Sequence, residues 1–355
     1  RYFDVYEGRG GEPTMFRFTP GDGANWPIVV LLHGGRQTGG SMEGAARALA
    51  ERGLLVYAPT YNIDLWRVGS EMVESGQWAG EVLLGDLACA IRAARHDAAT
   101  QGGDTDRLVL AGYSMGAAFG ATVAIVGDDP ELTTRASGGC VVQEGSAVPS
   151  AFYGWEGPYD WDEIAEGVFP RLVELAPDAI RALGPLPHVA TRSPDGLIPF
   201  HLQSGDQLYR SVSHADHLRA FESALTAAGW PVWSEILPGR VHTDFMTSPG
   251  IPESYDLIAQ IANDPTARYP AICRCRLSRK SWRSCRGSDL GEQIGEELGS
   301  GGLVVGGGVV ALAEHDGLEG GVGGEVDAGL ADRLEAAVEL RGSLAPAVAQ
   351  ESVVD

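Results

Sequence analysis

The chain has few basic residues and no long apolar run. Its 355 residues include 26 Lys and Arg against 48 Asp and Glu, which gives a formal net charge of −22. A charge of this sign argues against a nucleic-acid partner and against adsorption to anionic lipid. Because no uncharged apolar run reaches about 18 residues, we expect no membrane span.

Cysteine is also scarce, with five in the whole chain. Five cysteines do not make a disulfide framework in a chain of this length. Cys89 lies in a helical pattern and Cys140 at the start of an apolar run, so both are expected to be buried small hydrophobic residues. Cys273, Cys275 and Cys285 lack the paired spacing of a zinc site. The sequence therefore predicts neither a metal nor another cofactor.

The first residues, RYFDVYEG, have neither the basic start nor the apolar core of a signal peptide. This favours a cytoplasmic protein, although the chain does not begin with Met and secretion stays open. The sequence gives no indication of the oligomeric state.

The composition changes after residue 271. Residues 272–286 are dense in Arg and Ser, and residues 287–355 carry 14 acidic side chains against two basic ones. The second stretch contains no aromatic residue, so it has little with which to build a core. We predict one folded domain over residues 1–271 and an atypical tail outside it over residues 272–355.

Hydrophobic patterns within the first 271 residues indicate alternating strands and helices. Two short runs, Tyr2–Tyr6 and Thr14–Phe18, predict an antiparallel hairpin. Apolar runs with turn residues at their ends predict buried strands, at 27–35, 54–61, 107–114, 140–146, 199–205 and 230–238. Helical patterns lie between most of them, which predicts an α/β fold with a mostly parallel central sheet and helices on both faces. Residues from about 147 to 197 break the order and are expected to form a short lid-like excursion after strand 6.

One serine stands between two glycines where an apolar strand meets a small-residue helix, in Gly112-Tyr113-Ser114-Met115-Gly116. A serine hydroxyl needs exposure and a neighbouring base before it can act as a nucleophile. A sharp strand-to-helix turn supplies the exposure, and small residues two positions before and after make that turn possible. The pattern predicts that Ser114 is a nucleophile.

Glycines also end an earlier strand, in His33-Gly34-Gly35. Their backbone N–H groups, together with that of Met115, could hold a developing oxyanion. Gly35 is the first choice for this role and Gly34 the second. His33 is expected to be structural.

The base should follow the last strand, and the acid should lie between the nucleophile and the base. His242 comes a few residues after the last predicted strand and is preferred over the rival histidines, which are His188, His201, His214 and His217. Asp206 directly follows the strand that ends at Gly205, and Asp216 is the alternative, whereas Asp244 is too close to His242 to orient its ring easily. The acid would hold the imidazole tautomer and stabilise the imidazolium.

These residues, in the order Ser114, Asp206 and His242, carry a resemblance to the esterase and lipase branch of the α/β-hydrolase family. The stretches LLHGG, APTY, GGDTDRLVLAGYSMGA, GPYD, SGD and VHTDFM are similar to those of small bacterial carboxylesterases and of feruloyl- or acetyl-esterase-like enzymes. Two positions depart from the family pattern. Arg36 stands where a third glycine is usual, and Leu208 stands where the acid is usual.

The resemblance implies a serine hydrolase that cleaves short to medium acyl or aryl esters through an acyl-enzyme, without a cofactor. Phe152, Tyr153 and Trp155 are expected to line the substrate cleft, with a packing role as the alternative. Three other functions stay open: an amide or formamide hydrolase resembling arylformamidases, a dipeptidyl-peptidase-like enzyme, and a non-catalytic binding protein of the same fold. The only partner expected is a small-molecule substrate.

Overall fold

The computed structural model describes residues 2–3, 15–35, 37–61, 79–133, 140–168, 174, 177–191, 196–209, 212–246 and 250–266. The chain divides into two units, Arg1–Lys280 and Ser281–Asp355, and every described residue lies in the first. The predicted tail, residues 272–355, lies outside the described residues. The boundary placed at residue 271 therefore stays a prediction.

The described strands form one eight-stranded sheet in the order β1-β2-β4-β3-β5-β6-β7-β8. Their bounds are Tyr2–Phe3, Met15–Phe18, Trp26–Leu32, Leu55–Pro59, Gly103–Tyr113, Ala151–Trp155, Phe200–Gly205 and Val232–Leu237, from β1 to β8. The strands β3 to β8 pair in parallel, whereas β1 and β2 form the predicted antiparallel hairpin at one edge. The mostly parallel sheet that the sequence predicted is confirmed.

Eight α-helices of the described chain connect or flank these strands. Their bounds are Glu43–Ala50, Ala79–Gln101, Met115–Val126, Pro130–Thr133, Trp161–Val168, Pro177–Arg181, His214–Ala227 and Pro252–Asn263, from α1 to α8. Short 3-10 turns lie at Gly39–Met42 and Leu186–His188. None of the helices described is both long and apolar enough to span a bilayer.

The sheet separates two apolar cores. On one face, the side chains of α2, α3 and α7 pack against alternate residues of the central strands. On the other face, α1 and α8 cover the remaining alternate residues. Because β3 is buried along almost its whole length by helices on both sides, its sequence is a continuous apolar run rather than an alternating one.

Three expectations around β6 were wrong. Residues 140–146, predicted to be a strand, form an isolated bridge position followed by bends, and the strand lies instead at Ala151–Trp155, inside the expected excursion. The excursion therefore begins after Trp155 and runs to β7. Cys140 is not a simple buried hydrophobic residue either, since it forms a disulfide with Cys89 of α2.

The parallel register brings four chemically important chain positions to one edge of the sheet. Leu32 at the end of β3 is level with Gly112 of β5, and Tyr113 is level with Trp155 of β6. Trp155 in turn is level with Gln203 of β7. In parallel sheets the functional groups gather at the carboxyl ends of the strands. The residues that follow these ends are His33, Ser114, Glu156 and Asp206.

Candidate active site

Ser114 occupies a strained turn between β5 and α3. Its φ of 55° and ψ of −125° lie in a region that a non-glycine residue adopts only at a cost. Its N–H donates to the carbonyl oxygen of Trp155 over 2.9 Å, which holds the turn against the neighbouring strand. This is the geometry of a nucleophile elbow, in which the sharp turn presents the serine hydroxyl at the sheet edge.

The two flanking glycines are required because backbone approaches both of them closely. A Cβ on Gly112 would lie 2.4 Å from the carbonyl oxygen of Gly116. A Cβ on Gly116 would lie 2.4 Å from the carbonyl oxygen of His33. A larger residue at Gly112 would push the start of α3 away from β5, and one at Gly116 would push the elbow away from the end of β3. The glycine pattern in the sequence is thus explained by packing of the turn itself.

His242 lies in the loop after β8 with its imidazole directed at the nucleophile. Its Nε2 is 2.9 Å from Ser114 Oγ, a normal hydrogen-bond distance. The side chain is almost fully buried, with 5% of its surface exposed. The structure therefore brings Ser114 and His242 together, as the sequence predicts.

A carboxylate that the sequence reasoning missed faces the other nitrogen of this imidazole. Glu156 Oε2 lies 3.4 Å from His242 Nδ1, and Glu156 is completely buried. Its Oε1 accepts hydrogen bonds from the Gly205 N–H and the Ser204 hydroxyl. Glu156 directly follows β6 and has a φ of 54°, so a second strained residue stands beside the elbow.

Asp206, the acid chosen from the sequence, makes none of these contacts. Its Oδ1 accepts hydrogen bonds from the Gln207 side chain and from the Gly239 N–H. These bonds lower the pKa of the carboxyl, which lies exposed on the surface. Asp216 is also exposed and pairs with Arg219. The described contacts thus place Glu156 at the imidazole, and neither Asp206 nor Asp216.

Aromatic rings pack against His242 and fix its plane. The Tyr209 ring is stacked on the imidazole, with centroids 4.3 Å apart and planes 14° apart. The His214 ring packs 4.4 Å away at 37°, and the Tyr113 ring lies 5.1 Å away. These contacts restrict rotation of the imidazole, so that Nε2 stays directed at Ser114.

Three of the other four candidate histidines contact groups outside this site, whereas His214 lies within it. His188 and His201 contact the carbonyl oxygens of Ala182 and Pro265, and His217 Nδ1 accepts the N–H of Asp160. His214 faces Glu156, with 3.4 Å between its Nδ1 and Oε2. Burial, together with the neighbouring His242 and His217, lowers the pKa of His214 to about 3, so its ring is neutral near pH 7.

The loop after β3 packs directly on the elbow. A Cβ on Gly34 would lie 3.1 Å from Ser114 Cβ, and one on Gly35 would lie 2.6 Å from Met115 Sδ. His33 is buried, its Nδ1 bonds the carbonyl oxygen of Gly34, and burial lowers its pKa to about 4. A neutral, fully enclosed imidazole fits the structural role expected for His33.

The N–H groups of this loop differ in availability. The Gly34 N–H donates to Gln37 Oε1 over 2.9 Å. The N–H groups of Gly35 and Met115 donate to no acceptor in the described ranges. Gly35 and Met115 are thus the better placed of the three predicted residues to bind an anion at Ser114.

The three aromatic residues expected to line the cleft are buried in the two cores. Phe152, Tyr153 and Trp155 have 0% exposed surface. They alternate along β6, with Phe152 in one core and the other two in the opposite one. Tyr153 also donates a hydrogen bond to Gln203 Oε1. The structure supports the packing alternative for all three, because a fully enclosed side chain cannot contact a substrate.

Comparison with known proteins finds similarity to several esterases. No family model matches the chain. It is 23% identical over 263 residues to Esterase LipC of Mycobacterium tuberculosis, covering 69% of this chain and 57% of that protein. The chain therefore spans somewhat more than half the length of this relative. A neuroligin-like protein of Caenorhabditis elegans, glit-1, is 31% identical over 94 residues, covering 26% of this chain and 12% of that protein.

Solved structures give broader coverage. Esterase 2 of Thermogutta terrifontis superposes with a TM-score of 0.55 at 22% identity, covering 73% of this chain and 91% of that one. A truncated carbohydrate esterase from gut microbiota gives a TM-score of 0.57 at 16% identity, covering 74% and 96%. At these identities the likeness establishes the fold. The chain therefore has the α/β-hydrolase fold that its sequence resemblance implied.

Proposed function

We propose that the protein is a serine hydrolase of carboxylic esters, with Ser114 as nucleophile, His242 as base and Glu156 as the acid. The observation that carries the proposal is the 2.9 Å contact between Ser114 Oγ and His242 Nε2 at a strained strand-to-helix turn. A binding protein of the same fold would gain nothing from a strained serine aligned with an imidazole. The similarity to Esterase LipC and to esterases of known structure supports the same reaction class.

The proposed reaction begins with proton transfer from the Ser114 hydroxyl to His242 Nε2 as Oγ attacks the ester carbonyl. The N–H groups of Gly35 and Met115 stabilise the oxyanion, a role in which one donor is worth about 10²–10³-fold in rate. The imidazolium then protonates the leaving alkoxide, which departs as the alcohol. Water deprotonated by His242 attacks the acyl carbon, and the imidazolium returns the proton to Ser114 Oγ as the acid is released.

Glu156 is assigned to hold the imidazole rather than to take its proton. Its carboxylate accepts Nδ1–H and keeps Nε2 as the proton acceptor. The 3.4 Å distance is long for such a bond, and contacts of this kind commonly tighten when substrate binds. Gly205 and Ser204 occupy the second carboxylate oxygen, so Oε2 is the one directed at His242.

Short acyl groups are the proposed substrates. Thermogutta terrifontis esterase 2 has been crystallised with propionate and with butyrate. For this chain a series of p-nitrophenyl esters from C2 to C12 should show its highest kcat/KM at the short end. An aryl formamide assayed beside the series separates the ester hydrolase from the formamide hydrolase alternative.

The decisive experiment is labelling with a fluorophosphonate, which phosphonylates an activated serine. Esterase 2 of Thermogutta terrifontis is itself phosphonylated by sarin. We expect one adduct per chain, located on Ser114 by peptide mass spectrometry. Ser114→Ala should lose the adduct and about a millionfold in kcat. Ser150→Ala is the matched control, since Ser150 donates to the Leu108 carbonyl away from the site. Ester turnover that survives in Ser114→Ala would overturn the proposal.

The cellular location belongs to the proposal as well. The Cys89–Cys140 disulfide joins residues 51 positions apart, and such bonds persist mainly in oxidising compartments. We therefore place the protein in an oxidising environment, the alternative that the sequence left open. Alkylation of free thiols before lysis, followed by mass spectrometry, should find Cys89 and Cys140 unalkylated. Free thiols at both positions would support a cytoplasmic location instead.

A further inference from the structure

Glu156, His214 and His242 bring one carboxylate oxygen and two imidazole nitrogens to one point behind the nucleophile. Their ligand atoms all lie within 4.8 Å of one another, and all three residues are buried. Two histidines and one carboxylate form a donor set that Zn²⁺ binds in proteins, with a water molecule completing the tetrahedron. The chemistry of the cluster is thus suited to a divalent cation.

The distances fit a metal as well as they fit hydrogen bonds. Both Nδ1 atoms, of His214 and of His242, lie 3.4 Å from the same Oε2 of Glu156. N–H···O hydrogen bonds usually span about 2.7–3.2 Å, so both contacts are long. A tetrahedral ion with bonds of about 2.0–2.1 Å separates its ligand atoms by about 3.3–3.4 Å. The two distances therefore match two edges of a zinc tetrahedron.

His214 provides a second, independent observation. It is buried, with 5% of its surface exposed, and its Nδ1 has no hydrogen-bond partner in the described part of the chain. A buried polar atom without a partner is costly and calls for an explanation. This atom points at Glu156 Oε2, and the ion pairs recorded for that carboxylate among the described residues are both with histidines. A cation between them would satisfy both groups.

We propose that Glu156, His214 and His242 form an inhibitory site for Zn²⁺. Binding places the metal on Nδ1 of each neutral ring and moves the Nδ1 proton to Nε2, so no redox step and no added reagent is needed. His242 then presents Nε2–H to Ser114 and can no longer accept the serine proton. Binding of the metal stands on the geometry alone, whereas inhibition rests on the proposed function.

Binding is tested without reference to activity, using the full chain with Ser114→Ala and Zn²⁺ as the probe. Long-range ¹H–¹⁵N spectra of the histidine rings should show two rings, His214 and His242, changing to the Nε2–H tautomer on zinc addition. His214→Phe and His214→Gln should each weaken zinc binding at this site by about tenfold or more. His188→Gln, which removes an imidazole outside the cluster, should leave it unchanged. Ring signals unaffected by saturating Zn²⁺, or a zinc affinity in both His214 variants equal to that of the parent, would overturn the site.

Inhibition is tested on the chain with Ser114 intact. Zn²⁺ should abolish ester turnover, EDTA should restore it, and the activity remaining in the two His214 variants should resist zinc by about tenfold or more. If zinc binds as above and turnover persists, the inhibitory role is wrong while the site stands. If the chain turns over no ester at all, the proposed function fails and the ring spectra still decide the site.

Discussion

Two carboxylates follow neighbouring parallel strands of this sheet, and the molecule uses them differently. Glu156 comes directly after β6, is completely buried and faces His242. Asp206 comes directly after β7, is exposed and caps a turn through the Gly239 N–H. Both stand at the sheet edge where functional groups collect, so position along the chain does not distinguish them.

The difference lies in the backbone at each strand end. Glu156 has a positive φ, which turns its side chain inward over the end of β7, where the Gly205 N–H meets its Oε1. Asp206 continues past that same Gly205 into a surface turn. Glu156, the strained residue, thus lies beside Nδ1 of the His242 imidazole. A carboxylate at a strand end is therefore a candidate acid only when the backbone directs it inward.

Of the two carboxylates, Glu156 is expected to give the larger effect when it is neutralised. Glu156→Gln keeps the size of the side chain but removes the charge that fixes the imidazole tautomer. In a serine triad the equivalent change lowers kcat about 10⁴-fold, and we expect a loss of that order here. Steady-state kinetics on a p-nitrophenyl ester, with fluorophosphonate labelling rates at Ser114, measure the loss.

Asp206→Asn is the matched substitution at the other of the two carboxylates. Because Asp206 bonds a turn amide and not the imidazole, kcat should stay within about threefold of the parent, as for a surface substitution away from the site. A large loss in Asp206→Asn with near-normal activity in Glu156→Gln would reverse the assignment and restore the acid chosen from the sequence.

The fold was largely predictable because its signals are local. The buried parallel strands are continuous apolar runs, and the elbow is encoded by glycines at fixed distances from Ser114. Strand β6 was missed because AFYGW, at Ala151–Trp155, is short and lies among the prolines and aromatic residues of the expected excursion. Periodicity alone does not identify a short apolar run in a sequence as a buried strand.

That single missed strand accounts for the missed acid. If residues 147–197 form an excursion, no strand precedes Glu156, and the sequence pattern does not indicate it as the acid. The signal was present, since a glutamate directly follows a run of β-forming residues. The cleft residues were misjudged for the same reason: Phe152, Tyr153 and Trp155 are alternating core residues of β6.

A disulfide holds the chain segment that precedes β6, which is a further difference from β7. The Cys89–Cys140 disulfide ties the chain just before β6 to α2. Closing a loop of this size stabilises a fold by roughly 3–4 kcal/mol in the chain-entropy model. Replacing both cysteines by serine should lower the free energy of unfolding by about that amount, measured by urea denaturation.

The same denaturation series with and without a reductant provides the control. The parent should lose stability when reduced, whereas the double-serine variant should not respond. Equal stability of parent and variant under oxidising conditions would show that the approach to β6 is held by packing alone.

The smallest expected effect distinguishes a buried side chain on β7, His201, from an exposed one directly after that strand, Asp206. Burial lowers the pKa of His201 to about 4, whereas its ordinary value is about 6.5. As the pH falls below about 6.5, His201 therefore binds a proton in the unfolded chain but not in the folded chain. The free energy of unfolding decreases progressively towards pH 4 as a result. For one such imidazole the loss at pH 5 is about 1–2 kcal/mol. Between pH 7 and pH 5, the free energy of unfolding should therefore decrease less in His201→Phe than in the parent, by this amount. Asp206→Asn should leave the slope in that window unchanged, because the carboxyl of Asp206 already has a lowered pKa and stays ionised throughout it.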